Sequence, residues 1–118
     1  MLSLPPSTKI FLRSTPTDMR KSFDTLAALV RESLGCDPLS GHLFVFVGRR
    51  RDRIKILYWD RDGYALWAKR LERGTFRMPP VRDGRIELQT SELLLLLEGF
   101  DPSTLPKPKR YSAPCASV

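Results

Sequence analysis

The sequence predicts an α+β fold: a small antiparallel β-sheet, one helix packed on a face of it, and a short helix near the C-terminus. Three observations lead there. Residues 43–71 hold three consecutive stretches of β-forming residues separated by turn formers. Residues 18–34 repeat apolar side chains at intervals of three and four, the period of an amphipathic helix. Residues 92–98 are almost all leucine, between capping residues and a glycine.

In chain order, Ser7–Arg13 alternates polar and apolar residues as a first strand should, with Ile10 and Leu12 on one face. Pro5 and Pro6 keep the preceding residues extended. Pro16-Thr17-Asp18 breaks the strand, and the helix within 18–34 buries Phe23, Leu26, Ala27, Val30 and Leu34. Asp18 or Ser22 suits its N-cap and Gly35 its C-terminal exit. Arg20 and Lys21 lie where the helix dipole is positive, which disfavours cations unless an anion joins them.

Asp37-Pro38-Leu39-Ser40-Gly41 is a turn leading into Leu43–Val47, a buried strand by its unbroken apolar run. Ile54–Trp59 and Tyr64–Leu71 follow, joined at Asp60-Arg61-Asp62-Gly63, where Gly63 is the residue that takes a positive φ without steric cost. A three-residue loop of Arg61, Asp62 and Gly63 sets Asp60 opposite Tyr64. One face then carries Ile54, Ile56, Tyr58, Leu66 and Ala68; the other carries Arg53, Lys55, Leu57, Trp59, Ala65, Trp67 and Lys69. Lys55 falls opposite Lys69 in this register, and like charges so placed destabilise a sheet. The sequence either uses that charge or adopts another register. Beyond a bend at Glu72-Arg73-Gly74 and a turn at Arg82–Arg85, Ile86–Gln89 is a short strand. Thr90 or Ser91 caps the helix Glu92–Glu98, ended by Gly99. Leucine fills positions 93–97, so part of that helix faces the core and part is left to cover something else. Residues 1–101 form one domain, and the proline-rich basic segment 102–118 is expected to be disordered.

The 118 residues carry 20 Lys+Arg against 13 Asp+Glu, a formal net charge of +7. Such a field favours polyanions, of which nucleic acid is the commonest soluble one. The charge concentrates in Gly48-Arg49-Arg50-Arg51-Asp52-Arg53, where Asp52 alone offsets four guanidinium groups that match phosphate oxygens. Cys36 and Cys115 lie far apart with no nearby metal-ligand spacing, which points to reduced thiols in a cytoplasm. Met1–Pro6 has no signal-peptide character, and the leucine run is too short to span a bilayer.

Nothing in the chain reads as catalytic or as a cofactor site. His42 stands alone, and Asp37, Asp62, Asp83 and Asp101 precede Pro or Gly at turn positions where Asp bonds the backbone. A two-metal nuclease site on Asp60 and Asp62 is the weakest of the rival readings.

One string is more specific than any of these signals. Asp18-Met19-Arg20-Lys21, Asp37-Pro38-Leu39-Ser40-Gly41, Leu43-Phe44-Val45-Phe46, Arg49–Leu57, Tyr58-Trp59-Asp60, Asp62-Gly63, Trp67, Lys69-Arg70-Leu71-Glu72 and Gly74 follow in order and spacing. Together they resemble the small accessory protein, of the TnpB type, of the insertion-sequence-66 transposable elements. The resemblance implies a role in bacterial DNA transposition beside a DDE-type transposase and a second small accessory protein, and it assigns no catalytic residue. The combined expectation is a DNA-binding accessory factor, with contacts from Arg49, Arg50, Arg51, Arg53, Lys55, Lys69 and Arg70. Trp59 and Trp67 are either stacking platforms or core. The alternative is an adaptor that binds the transposase, and not DNA, through the leucine-rich helix and the sheet edge.

Overall fold

The computed structural model describes residues 7–79 and 84–99. Five strands and two helices follow one another as β1 (Ile10–Arg13), α1 (Phe23–Glu32), β2 (Leu43–Val47), β3 (Arg53–Asp60), β4 (Gly63–Arg70), β5 (Arg85–Leu88) and α2 (Thr90–Glu98). They build one sheet in the order β4-β3-β2-β1-β5. The meander β2-β3-β4 is antiparallel as expected, β1 runs parallel to β2, and β5 closes the far edge antiparallel to β1. The segment 102–118 lies outside the described residues.

β2 sits at the centre and is buried along its whole length, which is why it reads as an unbroken apolar run. Its side chains alternate between two cores. Phe44 and Phe46 point to the α1 side with Phe11, Leu57 and the helix residues Leu26, Ala27 and Val30. Leu43, Val45 and Val47 point to the other side, where Ile10, Leu12, Ile54, Ile56 and Phe76 meet Leu93, Leu96 and Leu97 of α2. One face is therefore rich in aromatics and the other mainly aliphatic. Phe11 and Phe44 stack with centroids 6.0 Å apart.

Both helices begin and end on local signals. Ser22 is the N-cap of α1 and its N–H donates to Thr25 Oγ1 at 3.0 Å, while Gly35 leaves the helix at φ 65°. Phe23, expected in the buried stripe, is 43% exposed at the first helical position. In α2 the Gln89 N–H donates to Glu92 Oε1 at 2.7 Å, one residue earlier than the cap expected at Thr90 or Ser91. Gly99 ends it at φ 75°. Leu93, Leu96 and Leu97 are buried, and Leu94 and Leu95 are exposed.

The β3–β4 register differs from the expectation by one residue. Asp60 pairs with Gly63, so the loop is Arg61-Asp62, and the left-handed residue is Arg61 at φ 55°, not Gly63. The Asp62 N–H reaches back to the Asp60 carbonyl, a three-residue turn tighter than the one expected. Because strand side chains alternate, this slip sends β4 to opposite faces from those expected. Lys55 opposes Ala68, Lys69 opposes Ile54, and Trp67 lies beside Ile56 while Trp59 lies beside Tyr64. The two tryptophans are thus on opposite faces of the sheet, and the Lys55–Lys69 clash does not arise. The like-charged cross-strand pair is instead Arg53 and Arg70, both exposed at the strand ends.

Candidate nucleic-acid interface

The β2–β3 loop closes through the Gly48 N–H to the Arg53 carbonyl at 3.0 Å and the Arg51 N–H to the Gly48 carbonyl at 2.9 Å. It faces the segment between β1 and α1. Thr17 is buried there and its N–H donates to the Val47 carbonyl at 2.9 Å. Arg13 holds the same segment from beneath. Its Nη1 donates to the Pro16 carbonyl (3.0 Å) and to Thr17 Oγ1 (3.1 Å), while its Nε donates to Ser33 Oγ at the end of α1 (2.9 Å). Between these two loops lies an open groove of about 500 Å³.

Arg20 on one wall and Arg49, Arg50 and Arg53 on the other line that groove, with Asp18 and Asp52 as its carboxylates. Asp18 is already committed. Arg20 Nη2 donates to its Oδ2 at 2.8 Å, and the Arg20 N–H donates to its Oδ1 at 2.9 Å. These bonds hold the Asp18 carboxyl well below the usual carboxylate range and raise the Arg20 guanidinium above its own. The anion that Arg20 was expected to need is therefore supplied within the chain. Arg49, Arg50 and Arg53 have no ion-pair or hydrogen-bond partner for their guanidinium groups among the described residues. Gly48 forms the floor. A Cβ there would meet Met19 Cγ at 2.7 Å, so any larger residue would have to displace the Met19 side chain.

The remaining expected contacts are dispersed. Arg51 turns to a neighbouring hollow of about 280 Å³ with Ser14, Thr15 and Met78. Arg70 Nε donates to Glu72 Oε2 at 3.2 Å on the exposed rim. Lys55 and Lys69 are engaged within the fold. Lys55 Nζ donates to the Lys21 carbonyl at 2.7 Å, just ahead of α1, and Lys69 Nζ donates to the Leu97 carbonyl at 2.9 Å in the last turn of α2. Each lysine fastens one helix to one face of the sheet, and the second also answers the negative end of a helix dipole. Trp59 packs edge-on to Tyr64 at 5.1 Å, and Trp67 is half-buried against the α2 core. Asp60 and Asp62 sit exposed at the hairpin turn, Asp60 3.9 Å from Arg61. Among the described residues no three His, Cys, Asp or Glu side chains gather as a metal site would need, and no helix is long and apolar enough to cross a membrane.

Arg13, Arg20, Met19 and Gly48 were not singled out together by the sequence. Arg20 and Lys21 did point to an anion at the start of α1, but nothing local says that this segment faces a loop thirty residues onward.

Comparison with known proteins adds the context this geometry lacks. The family described as IS66 Orf2 like protein matches residues 8–107. Two proteins of Sinorhizobium fredii (strain NBRC 101917 / NGR234) are similar. The uncharacterized protein y4jC is 41% identical over 93 residues, covering 79% of this chain and 80% of its own length. The uncharacterized protein y4hO is 39% identical over 101 residues, covering 86% and 88%. No solved structure matches the chain.

Proposed function

From the premise that the chain belongs to the IS66 Orf2-like family, we propose that it is a non-catalytic accessory protein of insertion-sequence transposition that binds DNA through phosphate contacts. The observation carrying this reading is the groove. Arg49, Arg50 and Arg53 line it without a guanidinium partner among the described residues, and Arg20 stands opposite them on a segment pinned by Arg13 and Thr17. Unpaired guanidinium groups on a preorganised loop suit phosphate oxygens, and such contacts position a protein on nucleic acid without reading bases. Arg51 and Arg70 flank the track, and Lys55 and Lys69 remain with the fold. Trp59, edge-on to Tyr64 near the sheet rim, is the better placed of the two tryptophans for stacking.

Fluorescence anisotropy with element-end duplex and random duplex, over a salt series, tests the proposal. Binding whose logarithm falls linearly with the logarithm of salt is expected, as counterion release requires. No binding to either duplex at low salt overturns it.

Leu94 and Leu95, 54% and 68% exposed on α2, favour a second reading in which the protein is an adaptor for the transposase. Capture of purified transposase that is lost with Leu95→Ser, in a chain that binds no DNA, would establish the adaptor instead.

A further inference from the structure

Among the described residues the sheet has two edges, and only one is defended. β5 is short and alternates charged Arg85 and Glu87 with its buried residues, and Arg85 is tied to the Leu34 carbonyl and to Cys36 Sγ. β4 is twice as long, contains no proline, and has no charged residue from Gly63 through Ala68. Long uncharged edges invite pairing with another strand.

The phase of the hydrogen bonds tells which groups are on offer. The Leu71 N–H donates to the Asp52 carbonyl at 2.7 Å, so the 52/71 position belongs to the hydrogen-bonded set of this antiparallel ladder. Counting back along the register, 54/69, 56/67, 58/65 and 60/63 belong to the same set. The N–H and C=O groups of Tyr64, Leu66, Ala68 and Arg70 therefore point away from β3, at the edge that no described strand covers.

We propose that two copies of this chain pair β4 to β4, antiparallel, with Trp67 of one copy facing Trp67 of the other across a two-fold axis. In that register Tyr64 of one copy pairs with Arg70 of the second, and Leu66 with Ala68, so every outward-pointing residue of β4 is used. The facing tryptophans form a non-hydrogen-bonded pair, the closer kind, where aromatic contacts stabilise a sheet most directly. Charge also favours it. The Lys69-Arg70 end of each strand approaches the turn of the other copy, which carries Asp60 and Asp62, and Arg70 gains an opposite charge on the diagonal. That contact relieves the Arg53–Arg70 repulsion within each copy. The partner is thus a second copy of the same chain, and the inference does not depend on DNA binding.

Sedimentation equilibrium of the full chain without nucleic acid, joined to amide hydrogen exchange, tests it. A dimer is expected, with the amides of Tyr64, Leu66, Ala68 and Arg70 exchanging as slowly as those of Ala65, Trp67 and Lys69, and faster on dilution. Ala68→Pro removes an outward N–H and no β3–β4 bond, so it should yield a folded monomer. A wild-type monomer at hundreds of micromolar overturns the proposal, whether its outward amides exchange fast or are covered by another part of the chain. A native-like Ala68→Pro variant that stays dimeric also overturns it. If that variant fails to fold, the wild-type exchange pattern decides.

Discussion

Two sets of cations lie within about twenty residues of each other, the arginines of the Gly48–Arg53 segment and the lysines of the strands that follow. Lys55 donates to the Lys21 carbonyl just ahead of α1 and Lys69 to the Leu97 carbonyl in the last turn of α2, on opposite faces of the sheet. Arg49, Arg50 and Arg53 line a groove with no guanidinium partner among the described residues. The same charge serves the fold in one place and is left unpaired among the described residues in the other. A positive residue thus becomes evidence for an interface only once the protein's own acceptors have been counted.

Reversing the charge of one fastening lysine breaks this comparison most severely. Lys69→Glu loses a charge-assisted bond and sets a carboxylate at the negative end of α2, for a cost of about 2–3 kcal/mol. Urea denaturation reads that loss, and unchanged stability would return Lys69 to the surface charges. The arginines should behave in the opposite way. Replacing Arg49, Arg50 and Arg53 together with Ala leaves the urea midpoint nearly unchanged, weakens DNA binding about tenfold or more, and flattens its salt slope, as expected when phosphate contacts are removed. An unaltered slope would mean that the groove touches no phosphate.

A smaller effect of opposite sign comes from Asp18. Asp18→Asn removes a carboxylate from the groove and releases Arg20, so DNA affinity should rise by a few-fold at low salt; a fall would show that Arg20 has to be held in place by Asp18 to act. The smallest change concerns the β3–β4 turn, away from either set. Arg61 occupies the left-handed region at φ 55°, which asparagine tolerates better, so Arg61→Asn should stabilise the chain by about 0.5 kcal/mol. Thermal unfolding measures it, and DNA affinity should stay within error because this turn is not part of the groove.

Much of this architecture was legible locally. Leu43–Val47 announces a central strand because both of its faces are buried, and Ser22, Gly35 and Gly99 mark helix ends through capping and left-handed exits. The arginine loop was legible as charge without local compensation. The register of β3 on β4 was not. Gly63 suits a left-handed closing position, and a loop of three residues satisfies every nearby preference. A loop of two wins because it sends Trp67 to the face of Ile56 and α2, and brings Lys69 to the Leu97 carbonyl. Those partners are remote in sequence.

What the sequence by itself determined, then, is the order and kind of the elements, the two-sided burial of β2 and the presence of an uncompensated basic loop. Each follows from interactions within a few residues: periodicity, capping and charge density. Which cations find a partner within the fold, which face each tryptophan takes, and that Asp18–Arg20 stands across from Arg49, Arg50 and Arg53 were decided only by tertiary structure. The reason is physical. A one-residue slip costs little in local backbone preference, yet it exchanges every side chain between the two cores. The burial of α1 and α2 on opposite faces therefore selects the register, and with it the use of each charge.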